Sequence, residues 1–224
     1  MLTVHHLNNS RSQRVLWLLE ELELPYEIVH YQRDPKTMLA PASLKAVHPL
    51  GKSPVVTTDD GATLAESGAI IESLIERYGQ GRLAPAAGSP EALRYRYWLH
   101  FAEGTAMSPL LLKLVFDRIE TSKMPFFAKP IAKAIASKAK SAFIHPNITG
   151  QLNFMEAELG RSEWFAGHEF TGADIQMSFV VEASQARGGL DAKRPKLMAY
   201  LERIHARPAY QRALQRGGPY ELLS

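Results

Sequence analysis

The stretch PLGKSPVVTTDDGATLAES, residues 49–67, decides how the chain folds. Ser53-Pro54 leads into the apolar pair Val55-Val56, Asp59-Asp60-Gly61 is a turn signal, and Thr63-Leu64 resumes an extended pattern. Glu66-Ser67 then opens a run with Ile70, Ile71, Leu74 and Ile75 at helical spacing. The segment predicts a hairpin that feeds a helix. A proline entering a strand fixes φ, removes a backbone donor and has access to the cis form. The backbone of Ser53 is therefore expected to stay unpaired and open to an extended ligand. A few residues on, the first amides of the next helix, the Ser67 hydroxyl and the helix dipole together suit a carboxylate.

On the N-terminal side, Leu2–Leu7 alternates weakly and reads as a strand, and Asn8-Asn9-Ser10 supplies turn and N-cap residues. From Arg11 onward, Val15, Leu16, Leu18, Leu19 and Leu22 recur at helical spacing with Glu20, Glu21 and Glu23 on the other side, an amphipathic helix that Leu24-Pro25 ends. Tyr26–Tyr31 reads as a second strand, so the chain opens β-α-β, which favours a parallel pair with a right-handed crossover. A short helix is expected at Ala42–Val47, and the helix after Ser67 should stop near Tyr78-Gly79.

Residues 79–90, GQGRLAPAAGSP, have the composition of an interdomain linker, and no convincing strand follows them. One long helix interrupted or bent near Pro109 is expected over residues 91–119, then helices over 126–143, 147–159 and 175–186. Thr171-Gly-Ala-Asp174 has capping-box spacing before the last of these. Pro195 and Pro208 each suit the first turn of a further helix. The order predicts an α/β domain over residues 1–80 and an all-α domain over residues 88–224.

Composition excludes several classes. At 224 residues, 46% hydrophobic and 22% charged, the chain has the makeup of a globular protein with a substantial core. No apolar run approaches the roughly 20 residues of a membrane span, and the opening MLTVHHLNNSR lacks the pattern of a signal peptide. A cytoplasmic location is the expectation. Zero cysteines exclude disulfides, cysteine metal sites and a protein thiol nucleophile. The net charge of +3 comes from basic residues scattered among acidic ones, so no nucleic-acid partner is expected. Lys129, Lys133, Lys138 and Lys140, spaced by alanine and isoleucine, read as a solvated helix face rather than a membrane or nucleic-acid face. His5 and His6 are adjacent in a strand and point to opposite faces, which argues against a shared metal, and none is expected.

HPLGKSPVV with its pre-strand proline, LAES at the start of the third helix and FTGADIQMSF in the helical half, in this order and spacing, resemble the cytosolic glutathione transferases over nearly the whole chain. The Ser10-Arg11 pair after the first strand looks closest to a serine-type fungal and bacterial subgroup. The resemblance implies a thioredoxin-like N-terminal domain that binds glutathione, an all-helical C-terminal domain that contributes the site for a hydrophobic electrophile, and a homodimer. Glu66 and Ser67 would hold the γ-glutamyl end of glutathione, Ser53 before a cis Pro54 would pair with the cysteinyl backbone, and Lys52 would meet the glycyl carboxylate. Asn9 and Arg11 complete the expected glutathione contacts.

Ser10 stands where the family keeps a thiol-activating residue. A hydroxyl donor beside a helix N-terminus favours a thiolate, and Asn8, Asn9 or Arg11 are the alternatives for contact with the sulfur. Ser10 also suits a plain helix cap, a role compatible with catalysis. Tyr95, Tyr97, Trp98 and Phe101 read as an aromatic core stripe, with the electrophile pocket as their second reading. The activity implied is conjugation of glutathione to hydrophobic electrophiles. Glutathione-dependent peroxide or disulfide reduction is the alternative chemistry, and a non-catalytic binding module the alternative class.

Overall fold

A computed structural model describes residues 1–220 and Leu222. β1 (Leu2–Leu7) and β2 (Tyr26–Tyr31) pair in parallel, Leu2 opposite Tyr26 through Leu7 opposite Tyr31, with α1 (Ser12–Glu21) crossing between them. β3 (Val55–Thr57) lies antiparallel on the other edge of β1, and β4 (Thr63–Ala65) closes the hairpin, giving the order β2-β1-β3-β4. The hairpin turn is shaped by Asp60, whose carboxylate accepts from the Thr58 hydroxyl and the Ala62 N–H, and by Gly61 at φ 83°. α2 (Ala42–Val47) and α3 (Ser67–Tyr78) complete this half, a thioredoxin-like domain.

Helix α1 departs from the amphipathic reading. Every residue from Ser12 to Leu19 is buried, because the sheet covers one side of the helix and the helical half covers the other. A polar face has to be open to solvent, and over these eight residues no face is. Glu20 and Glu21 instead bind Arg212, Arg216 and Arg207 from the end of the chain.

The second half holds α4 (Pro90–Phe101), α5 (Met107–Thr121), α6 (Lys129–Ala139), α7 (His145–Leu159), α8 (Gly172–Ala183), α9 (Pro195–His205) and α10 (Pro208–Gly217). The helix expected over residues 91–119 is interrupted earlier than Pro109, at the wide π turn Ala102–Ala106. Pro109 has no N–H for the Thr105 carbonyl, and the Gln151 amide of α7 donates to that oxygen at 3.0 Å instead. The separate helices expected over 126–143 and 147–159 run together through a second π turn, Lys140–Ile144, two residues before Pro146.

Helix α8 is buried along its whole length. Its capping box forms as the sequence predicts: Thr171 Oγ1 accepts from the Ala173 N–H, and Asp174 Oδ2 accepts from the Thr171 N–H at 2.9 Å. Asp174 Oδ1 also accepts from the Phe165 N–H, fastening the preceding loop. At Gly172 a Cβ would come within 2.5 Å of Ile75, so only glycine lets α8 approach α3 this closely. On α4, Tyr95, Trp98 and Phe101 are buried in the core, whereas Tyr97 is 47% exposed and stacks on the outside of Phe101. No helix among the described residues is long and apolar enough to cross a membrane.

Candidate active site

The C-terminal end of β1, the start of α1, the loop before β3 and the start of α3 surround one open cavity of about 470 Å³. It brings together Asn9, Ser10, Arg11, Lys52, Ser53, Pro54, Glu66 and Ser67, so residues up to 58 positions apart in sequence line a single wall. Asn8 is not part of that wall; its side-chain oxygen accepts from the Arg33 N–H and holds the loop after β2.

Ser53-Pro54 is a cis peptide. The Ser53 hydroxyl donates to the His5 carbonyl at 2.8 Å and accepts from the Leu7 N–H at 3.2 Å, which pins the loop to β1. Its backbone N–H and C=O form no hydrogen bond with the described residues, leaving an extended backbone edge facing the cavity. Lys52 is exposed at the rim.

Glu66 precedes α3 at φ 67° and ψ 118°, an uncommon conformation for a residue with a Cβ. Its carboxylate is exposed to the cavity, and Ser67 behind it is 4% exposed. Ser67 Oγ accepts from Gln176 Nε2 at 3.2 Å and from Arg14 Nη1 at 3.5 Å. With both lone pairs occupied, its proton is the one group left to offer, next to the unpaired amides of the helix start.

Ser10 is 5% exposed, and its Oγ accepts from the Ser12 N–H at 3.2 Å, so it does cap the first turn of α1. The same oxygen lies 2.7 Å from Ser12 Oγ and 3.3 Å from Ser53 Oγ. Ser12 Oγ in turn lies 2.8 Å from His6 Nδ1. Burial and the neighbouring His30 push the His6 pKa down to about 4, and its ring also bonds the Gly217 backbone. His6 is thus neutral at physiological pH, with Nδ1 as an acceptor for the Ser12 proton. Ser12 Oγ then accepts from Ser10, whose proton can turn between Ser12 Oγ, Ser53 Oγ and a group in the cavity.

Three further residues were not singled out from the sequence: Glu103 lines the cavity, and Arg14 and Gln176 lie behind its wall. Arg14, 2% exposed, donates to Glu103 at 2.9 Å, and Arg11 donates to the same oxygen at 2.8 Å. Burial pulls the Glu103 carboxyl upward, but the Arg14 and Arg11 charges outweigh it and hold its pKa below the usual value. Both guanidinium groups also sit about 5 Å from the Phe179 ring centre. Gln176 is the third. The available signal was Arg14 itself, an arginine four residues before Leu18 on the apolar stripe of α1, where a charge needs a buried partner. Glu103 and Gln176 lie 89 and 109 positions away from their partners, and no local pattern points to them.

Comparison with known proteins agrees with this architecture. Residues 10–77 match the glutathione S-transferase N-terminal domain, and residues 121–208 match the glutathione S-transferase C-terminal domain. The chain is 36% identical over 217 residues to glutathione S-transferase 3 of Schizosaccharomyces pombe, covering 96% of this chain and 88% of that protein. Among solved structures, a glutathione S-transferase from Actinobacillus pleuropneumoniae superposes with a TM-score of 0.79 at 32% identity, covering 99% of this chain and 95% of that one. A sphingomonad glutathione S-transferase complexed with glutathione superposes with a TM-score of 0.73 at 26% identity, covering 96% and 98%. A thioredoxin-like sheet joined to an all-helical half, with a polar cavity at their junction, is the build of a glutathione-dependent transferase. The chain belongs to the cytosolic glutathione transferase family.

Proposed function

We propose that the enzyme binds glutathione in the 470 Å³ cavity, stabilises its thiolate at Ser10 and conjugates it to hydrophobic electrophiles. The observation that carries this reading is the Ser67 hydroxyl, whose oxygen is saturated by Arg14 and Gln176 and whose proton is free for a carboxylate beside the exposed Glu66. An α-amino acid group needs that pair: an anion for its amine and donors for its carboxylate. The γ-glutamyl end fits there, the cysteinyl backbone pairs with Ser53 by strand addition, and the glycyl carboxylate meets Lys52. Asn9 and Arg11 border the sulfur end.

In this reading the thiol proton leaves to solvent on binding, and Ser10 acts as hydrogen-bond donor to the sulfur rather than as a base. The thiolate attacks the electrophilic carbon, a sulfur–carbon bond forms, and the leaving group departs with its electron pair. The rate gain comes from thiolate stabilisation and positioning. No metal takes part. The functional protein is proposed to be a cytoplasmic homodimer of two-domain chains, divided between residues 80 and 88. Exposed Leu93 and Tyr97 on α4 and Phe154 on α7 offer an apolar face for a second copy.

Calorimetry with glutathione on the wild type and Glu66→Ala tests the binding half. The wild type should bind and the variant should lose at least about tenfold, since removing one partner of a charged hydrogen bond costs roughly 1.5–3 kcal/mol. No binding to the wild type at millimolar ligand overturns the reading. Assays with an aryl halide, an organic hydroperoxide and a small disulfide then identify the chemistry, with conjugation expected to dominate.

A further inference from the structure

A second cavity, of about 410 Å³, opens beside the first and shares Asn9, Arg11, Arg33, Met38, Leu111 and Phe179 with it. Two helices build its far walls with the same pattern. α5 presents Leu110, Leu114 and Arg118 at successive four-residue steps, and α8 with its following turn presents Phe179, Ala183 and Arg187 at the same spacing. Each apolar stripe ends in an arginine. Arg33 enters from the loop after β2, where burial first, and then the like charges of Arg11 and Arg118, lower its pKa.

Among the described residues that line this cavity there is no aspartate or glutamate. Arg11 has Glu103 as a partner, but Arg33, Arg118 and Arg187 form no ion pair with any described residue. Elsewhere Arg14, Arg77, Arg94, Arg161, Arg194, Arg207, Arg212 and Arg216 have carboxylate partners, while Arg82, Arg96 and Arg203 form no ion pair with a described residue but do not all line one cavity as these three do. Like charges gathered around an apolar floor without a counter-ion repel one another and favour an anion of matching shape.

We propose that the second substrate is an amphipathic anion: a hydrophobic electrophile that carries a carboxylate, sulfonate or phosphate group. Its apolar body lies against Leu110, Leu114 and Phe179, with the electrophilic carbon toward Ser10. Its charged group lies between Arg33, Arg118 and Arg187. The proposal rests on the glutathione reading for the identity of the nucleophile, but the preference of the cavity for anions can be measured without glutathione.

The test uses the full chain and a matched pair of dyes, 8-anilinonaphthalene-1-sulfonate and N-phenyl-1-naphthylamine, which share an aromatic body and differ in the sulfonate. A merely apolar cavity favours the neutral dye. Three exposed ion pairs of ordinary strength instead give the sulfonate about a tenfold tighter Kd, and added salt should erode that preference. In R118Q/R187Q the ratio of the two Kd values should fall about fivefold or more, whatever happens to either dye alone, and R118Q alone should show part of the fall. Equal or tighter binding of the neutral dye, or a ratio unchanged in the double variant, overturns the proposal. Glutathione calorimetry on the same samples separates the two readings. Dye preference without glutathione binding strikes the transferase mechanism, and glutathione binding without dye preference strikes the anionic substrate.

Discussion

Replacing Ser10 with alanine should raise the pKa of glutathione bound to the enzyme by about one unit. In the unliganded site the Ser10 proton is shared with Ser12 Oγ at 2.7 Å, a neutral bond worth roughly 0.5–1.5 kcal/mol net, while a bond to a thiolate is charge-assisted and worth roughly 1.5–3 kcal/mol. The hydroxyl must give up the first to make the second. Its net contribution to the charged form is therefore the difference, about 1–1.5 kcal/mol, or about one pKa unit. The ultraviolet absorbance of the thiolate, titrated against pH in the complexes of wild type and Ser10→Ala, reads this directly. The conjugation rate should fall about tenfold below both pKa values and recover once pH exceeds them, because only the thiolate fraction has changed. Ser12→Ala removes the competing acceptor, so it should leave the bound thiol pKa unchanged or lower it, while destabilising the fold by about 1–3 kcal/mol through the unsatisfied His6 Nδ1. If Ser10→Ala titrates like the wild type and keeps full activity at low pH, Ser10 is a cap and nothing more.

Glu66→Gly should raise the melting temperature while weakening glutathione binding, because glycine relieves a φ of 67° that costs on the order of 1 kcal/mol with a Cβ present; a lower melting temperature would refute the strain. Arg14→Met should cost about 2 kcal/mol in urea unfolding and also loosen glutathione, since Glu103 keeps Arg11 but Ser67 loses a donor; intact affinity would remove Arg14 from the site. Asp174→Ala should cost about 3 kcal/mol, more than a helix cap alone, because the Phe165 N–H is orphaned along with the cap. Burial pushes the Asp174 pKa up to about 6 in the folded state against 3.8 when unfolded, so its protonation favours folding. The gap between wild type and this variant should therefore widen as pH drops from 7 to 4, by up to about 3 kcal/mol. A gap that narrows would mean that the three donors hold the folded pKa below the unfolded one.

The parts of the fold legible in the sequence are those decided within a dozen residues. The hairpin before α3, the parallel β1–β2 pair and the Thr171–Asp174 cap follow from proline, turn residues and short periodicities, and each forms as read. Details fail to show where a distant element decides the outcome. The interruption expected near Pro109 falls at Ala102–Ala106, and the donor that lets α5 continue past the proline comes from Gln151, 46 positions from the carbonyl it serves. Nothing near the glutamates of α1 in sequence shows that Arg207, just before α10, and Arg212 and Arg216 within it come to them. The same limit divides the site. Ser10, Ser53, Glu66 and Ser67 lie in short motifs and could be named, but Glu103 and Gln176 act through partners about a hundred positions away.

Local rules fail most visibly where the cavity is built. Asn9, Met38 and Glu66 all hold positive φ without being glycine, and all three line the wall. Arg14 puts a charge inside an apolar stripe directly behind Ser67. Each departure costs free energy that packing elsewhere must offset, and each has a geometric consequence at one spot. The positive φ of Glu66 turns its carboxylate outward as Ser67 turns inward. Arg14 and Gln176 then saturate the Ser67 oxygen, so that its proton has no partner among the described residues. A site that leaves one donor unsatisfied beside one exposed carboxylate is incomplete until a zwitterion occupies it. That incompleteness, more than any single motif, is the physical content of the glutathione reading.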